Sequence, residues 1–274
     1  MGPAHAVDLK RKFESDSEDS DDYERKRPRI ADQNYRSPFE SMQALCNLQK
    51  VDLSRCTVSP DLFDYFLRNT QSTIVCFGSS CERVLQSFPE NLSIHTITAV
   101  TFTSMKVSNY ILKKVLCAFA SLEELEMKSC SWIECDRAFE AEVQSDLFDL
   151  TFDHCDISDA ALTELICCIP KVAHLEIVEC EMISSLALAS VIKRIAAMIT
   201  YLDLTGSTIN GVDFKIAIES CTKLTYLYCN FCELTFDELM KVSFPETLIE
   251  IEYEGTKMTD VEEIEFGMKK LSLA

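Results

Sequence analysis

The sequence predicts an α/β solenoid of about nine repeats, with parallel strands on a concave face and helices on the convex side. Two observations predict it. A short apolar pattern recurs with its centre at Leu53, Phe77, Phe102, Met127, Phe152, Ile177, Leu204, Cys229 and Tyr253. The intervals are 24, 25, 25, 25, 25, 27, 25 and 24 residues, the rhythm of a stacked structural repeat. Within each unit, moreover, the apolar period changes from two to that of a helix.

The unit beginning at Leu147 shows how. Leu150 and Phe152 are two apart, so a strand places both on one face. Cys155 then ends the strand and turns inward, where a small thiol fits beneath the turn. Asp159 to Ile166 carries apolar residues at helical spacing. One strand and one helix of this size cannot bury both apolar faces alone, but stacked on neighbours they share a continuous core.

The elements follow in order. Residues 1–36 carry many charges and few aliphatic side chains and are expected to stay disordered. Residues 37–50 read as an N-terminal cap: Ser37-Pro38 starts a helix, and Phe39, Met42, Leu45 and Cys46 cover the first repeat. Residues 51–258 are the repeats. Residues 259–274, with Ile264, Phe266 and Leu271, read as a C-terminal cap; were it to leave the last strand open, that edge would favour a homodimer. The 27-residue interval after Ile177 adds length on the convex side, where Lys193 and Arg194 form a basic spot.

Cys56, Cys130, Cys155, Cys180 and Cys232 share one repeat position, which Ser80, Met105, Ser207 and Thr256 fill elsewhere. Cys221, three residues before Leu224, fits the end of a convex segment. Together with Leu122-x-x-Leu125-x-Met127-x-x-Cys130, Val172-x-x-Leu175-x-Ile177-x-x-Cys180 and the Ile157-Ser158-Asp159 turn, this resembles the cysteine-containing leucine-rich repeats. The resemblance spans roughly residues 45–260 and implies a leucine-rich-repeat horseshoe. The second repeat, with Ser72 and Ser80, matches least well. The same repeat class occurs in F-box substrate receptors of ubiquitin ligases, but Ser37 to Lys50 is too short for an F-box and lacks its leucine–proline opening.

Fourteen cysteines raise disulfides and zinc. The early residues are charged and give no signal-peptide pattern, which disfavours disulfides. Cys229-x-x-Cys232 offers half a tetrahedral site, and both residues fall on inward positions, so buried reduced thiols are expected and no metal or cofactor. No apolar run approaches a membrane span, and Pro3 and Ala6 break a myristoylation signal.

Lys10-Arg11-Lys12 and Arg25-Lys26-Arg27-Pro28-Arg29 bracket an acidic tract, as in a bipartite signal for a nuclear import receptor. Ser15, with Glu18 three residues on, suits an acidophilic kinase, and Ser37-Pro38 a proline-directed one. A nuclear protein that shuttles with the cytoplasm is the expectation.

Three side-chain rows are expected across the concave face. The central one reads Asp52, Cys76, Thr101, Glu126, Thr151, Glu176, Asp203, Tyr228 and Glu252. The row before it includes Glu124, Asp149, His174, Tyr201, Tyr226 and Glu250, and the row after it Lys128, Asp153 and Glu254. From the fourth repeat onward the rows hold nine carboxylates and one base, Lys128. With Tyr201, Tyr226, Tyr228 and Phe231 nearby, this pattern points to a basic protein segment as partner. The candidate binding residues are Glu124, Glu126, Asp149, Asp153, His174, Glu176, Tyr201, Asp203, Tyr226, Tyr228, Phe231 and Glu252. Of a net charge of −19, −17 falls on the repeats, which argues against nucleic acid there. His154 and His174 sit among carboxylates, yet no nucleophile motif, phosphate loop or metalloprotease signature accompanies them, so a non-enzymatic adaptor is expected. A ubiquitin-ligase substrate receptor or regulator is the alternative.

Overall fold

The computed structural model describes residues 38–87, 92–133, 146–169 and 171–255. The import clusters, Ser15, Ser37 and the segment 259–274 lie outside them.

Nine parallel strands form one sheet: β1 (Lys50–Asp52), β2 (Ile74–Gly78), β3 (Ala99–Thr103), β5 (Glu124–Lys128), β7 (Asp149–Asp153), β8 (His174–Val178), β9 (Tyr201–Asp203), β10 (Tyr226–Tyr228) and β11 (Glu250–Glu252). They stack in sequence order, so each repeat contacts its neighbours as in a leucine-rich-repeat solenoid. Two short strands, β4 (Lys106–Ser108) and β6 (Ser131–Ile133), pair separately.

Register follows the repeat spacing. Asp52 pairs with Cys76, Cys76 with Thr101, Thr101 with Glu126, and so on to Tyr228 with Glu252. Phe77, Phe102, Met127, Phe152, Ile177, Leu204 and Cys229 are all buried beneath the sheet, against the buried faces of the helices. Tyr253 is only partly buried.

The helices behind the sheet are α1 (Pro38–Cys46), α2 (Pro60–Asn69), α3 (Glu82–Gln86), α4 (Asn109–Ala118), α5 (Asp159–Cys168), α6 (Ser185–Ile195), α7 (Gly211–Ser220) and α8 (Phe236–Met240). Met42 and Cys46 of α1 are buried against the first repeat, as a cap requires. Side chains of Ser59, Ser108, Ser158, Ser184 and Asn210 accept N–H groups at their helix starts, and Thr235 forms a capping box with Glu238. The long 177–204 interval is taken up by α6 and the turn after it, leaving Lys193 and Arg194 exposed.

The thiols form a second ladder. Cys130, Cys155, Cys180 and Cys232 donate to the carbonyls of Phe102, Met127, Phe152 and Leu204, each 28 residues back, at 3.1–3.7 Å. In the second repeat this place belongs to Cys81, whose thiol reaches the Leu53 carbonyl at 3.5 Å. That corrects the assignment of Ser80. A 3₁₀ turn at Ser79–Cys81 adds one residue there, and the Ser80 hydroxyl donates sideways to the Cys56 carbonyl at 2.7 Å. Ser72, in an apolar consensus position, is fully buried and donates to the Leu48 carbonyl at 2.6 Å. Cys229 and Cys232 both hold backbone carbonyls, of Glu252 and Leu204, which is thiol rather than thiolate chemistry.

Candidate partner-binding face

The functional side chains lie on the outer sheet face, opposite the helices, because strand residues alternate sides and the inward set fills the core. Its centre is His174. Its Nε2 is 3.0 Å from Glu176 Oε1 and its Nδ1 is 3.4 Å from Asp149 Oδ2. Glu176 also accepts the Thr151 hydroxyl at 3.3 Å. The imidazole stacks on Tyr201 at 3.9 Å between ring centroids, and Tyr201 continues to Tyr228 at 5.3 Å and Tyr226 at 6.2 Å. Register places Tyr201 between His174 and Tyr226, with strands about 4.8 Å apart, and Tyr228 approaches diagonally from the next strand.

Burial opposes the His174 imidazolium, but the Glu176 hydrogen bond and the charges of Asp149, Glu176 and Asp203 outweigh it and raise its pKa. The same hydrogen bond draws Glu176 below the usual carboxylate range. Asp149 and Asp203 are pushed upward, first by burial and then by neighbouring carboxylates. Asp203 Oδ1 accepts the Thr205 N–H at 2.8 Å.

Around this centre the pairs are local. Glu126 accepts Thr101 at 3.0 Å and holds Lys128 at 2.7 Å. Glu252 accepts the Asn230 amide at 3.2 Å, and Tyr228 donates to Glu250 at 3.3 Å. Glu124 is exposed at the start of β5. His154 bridges Asp153 at 2.5 Å and Glu179 at 2.7 Å, which raise its pKa. The structure thus gathers Asp149, His174, Glu176, Tyr201 and Tyr228. Phe231 stands apart in the turn after β10. Thr151, Asn230 and Glu250 are functional-face residues not singled out from sequence, although all three lie in the predicted rows.

Phe231 belongs to a column of left-handed residues two places after the central apolar position: Ser104, Ser129, His154, Glu179, Gly206, Phe231 and Gly255, with φ between 50° and 77°. Each of the first six donates its N–H to the next repeat, as Ser129 does to the Asp153 carbonyl and Phe231 to that of Glu254. Left-handed conformation is uncommon for a bulky side chain. Glycine is favoured at 206, where an added Cβ would lie 2.7 Å from Glu179 Cγ, and at 255, where it would lie 2.5 Å from the Phe231 ring. Phe231 is nonetheless 64% exposed, a large apolar ring at the surface of the turn.

No protein-family model matches the chain, and none of the curated proteins matches it. Among solved structures it is similar to the leucine-rich repeat-containing protein LegL7 from Legionella pneumophila. That likeness has 13% identity and a TM-score of 0.41 over 88% of this chain and 96% of that one. So distant a likeness bears no part of the functional reading.

Proposed function

We propose that the protein is a non-catalytic interaction module whose outer sheet face, from β5 to β11, takes a basic protein segment. The observation behind this reading is the juxtaposition of the His174–Tyr201–Tyr228 ring stack with Glu126, Asp149, Glu176, Asp203 and Glu252 on one unpartnered face. Carboxylates speed the encounter with a cation and select against anions, while tyrosines supply contact area with few rotors. Phe231 is a further anchor at the end of the face. Its backbone is held by the N–H bond to the Glu254 carbonyl, and its ring is exposed.

His174 does not suit general base catalysis. Both of its ring nitrogens face carboxylates and one ring face is covered by Tyr201. Among the described residues no helix is long and apolar enough to cross a membrane.

The test is capture of partners from nuclear extract with the full chain and with a Glu126→Lys, Glu176→Lys, Asp203→Lys variant, after circular dichroism shows the variant folded. Basic proteins held by the wild type and lost from the variant support the reading. The same partners on both would move attention to the helices, the caps or the tail. Nuclear import through Lys10–Lys12 and Arg25–Arg29 belongs to this proposal. Replacing both clusters by serine is expected to leave the protein cytoplasmic. The ubiquitin-ligase alternative predicts co-purification of cullin-type subunits.

A further inference from the structure

We propose that the outer sheet face has an occupant within the same chain: the segment Arg25-Lys26-Arg27-Pro28-Arg29 docks on it in cis and competes with the basic partner. This rests on the reading of the face as a site for cationic segments.

Reach and charge argue for it. The described chain begins at Pro38, the start of α1 and adjacent in sequence to β1, and Arg29 lies nine positions before it. At about 3.3 Å per residue that tether spans up to about 30 Å, and the thirteen residues to Arg25 about 43 Å. β5 lies three strand steps from β1 and β8 five, about 14 and 24 Å at the usual strand spacing. Because α1 packs on α2 behind the sheet, the path first rounds the β1 edge, about 10 Å more. The segment then reaches Glu126 and Asp149 along its length and Glu176 with its far end at Arg25, without unfolding anything described. The nearer strands β1 to β3 offer it little: they present Lys50, Cys76 and Thr101, with Asp52 as their acid. Four cations within five residues meet a face whose carboxylates recur on β5, β7, β8, β9 and β11.

The second basic cluster, Lys10-Arg11-Lys12, fits less well. Its tether is longer, which lowers its effective concentration, and the acidic tract between the clusters is repelled by the same face. A short tether holds Arg25–Arg29 at roughly millimolar effective concentration. For a cationic stretch with an intrinsic dissociation constant of about 0.1 mM, that weakens a competing basic ligand about tenfold. A partner or import receptor that takes this cluster would, by the same linkage, free the face.

The test uses the full chain and a fluorescein-labelled oligo-arginine peptide as probe. Three variants are compared with wild type: a tail variant with Arg25, Lys26, Arg27 and Arg29 replaced by serine, a control with Lys10, Arg11 and Lys12 replaced by serine, and a face variant Glu126→Gln, Glu176→Gln, Asp203→Asn. The tail variant is expected to bind the probe about tenfold more tightly and the control to change less than threefold. Combining the tail and face changes should abolish the gain. Zero-length carbodiimide cross-linking of wild type should join Lys26 to Glu126, Asp149 or Glu176, with a yield independent of protein concentration.

An unchanged affinity in the tail variant, an equal gain in the control, or cross-links that grow with concentration would overturn cis docking. A tail-and-face variant that binds the probe more weakly than the tail variant would meanwhile leave the interaction-face reading standing. If the tail-and-face variant binds the probe as tightly as the tail variant does, the reading of the face itself fails.

Discussion

The imidazole of His174 lies flat on the ring of Tyr201, 3.9 Å between centroids, while its two nitrogens face Asp149 and Glu176. One residue thus joins the acidic and aromatic halves of the face. It also gives the face a positive charge at its centre when protonated.

Replacing His174 by glutamine should therefore destabilise the fold in a pH-dependent way. The folded-state pKa is raised, so the charge contributes stability that is full below the unfolded value of about 6.5 and is lost as pH rises through the folded value. Glu176 has the opposite sign: its depressed pKa gives stability above the unfolded value of about 4.3 that is lost as pH falls through the folded value. Urea unfolding should show a wild-type advantage of about 1 kcal/mol near pH 6 that shrinks toward pH 8.

Asp203→Asn is expected to stabilise the protein at neutral pH by roughly 0.5–1 kcal/mol. Burial and neighbouring carboxylates raise the Asp203 pKa, so its charged form is disfavoured in the fold above that value. Asparagine keeps an oxygen for the Thr205 N–H. The same variant should bind a cationic probe more weakly, which thermal unfolding and a titration would reveal together.

The left-handed column predicts opposite effects of glycine at two of its members. Ser129→Gly removes a φ of 51° from a residue with a Cβ and should gain roughly 0.5–1 kcal/mol net of glycine's entropy. Gly206→Ala should lose about 1–2 kcal/mol, since it adds a Cβ against Glu179 at a φ of 68°. Glu179→Ala should recover part of that loss, and a double-mutant cycle in denaturant measures how much.

Thiol reactivity should separate the cysteines. Cys117 is exposed, whereas burial pushes the Cys180 and Cys221 thiols up to about 11. Iodoacetamide at pH 8, read by mass mapping, should label Cys117 in the native protein and leave Cys180 and Cys221 unmodified until the chain unfolds.

The strand register was legible because two periods coincide: Leu150 and Phe152 mark a strand face, and the same pair returns one repeat later as Leu175 and Ile177. The row of His174, Tyr201 and Tyr226 was legible for the same reason, but the stacking of His174 on Tyr201 and the diagonal approach of Tyr228 were not. The turn column was not. Its conformation comes from hydrogen bonds between repeats, and serine, histidine, glutamate and phenylalanine do not announce it locally. Only Gly206 and Gly255, at the same repeat position, carried a signal. Cys81 was hidden because Ser80 fits the average spacing, and one extra residue in a 3₁₀ turn decides between them.

The most direct measurement is fluorescence anisotropy of a labelled oligo-arginine peptide with two variants of equal charge change, both built on the tail variant so that relief of cis competition does not offset the loss. Glu126→Gln, Glu176→Gln, Asp203→Asn neutralises the sheet face, and Asp61→Asn, Glu181→Gln, Asp237→Asn neutralises exposed positions on and beside the helices. The sheet-face variant is predicted to weaken binding at least tenfold and the helix-side variant less than twofold. Equal losses in both would show that net charge, rather than this face, attracts the cation.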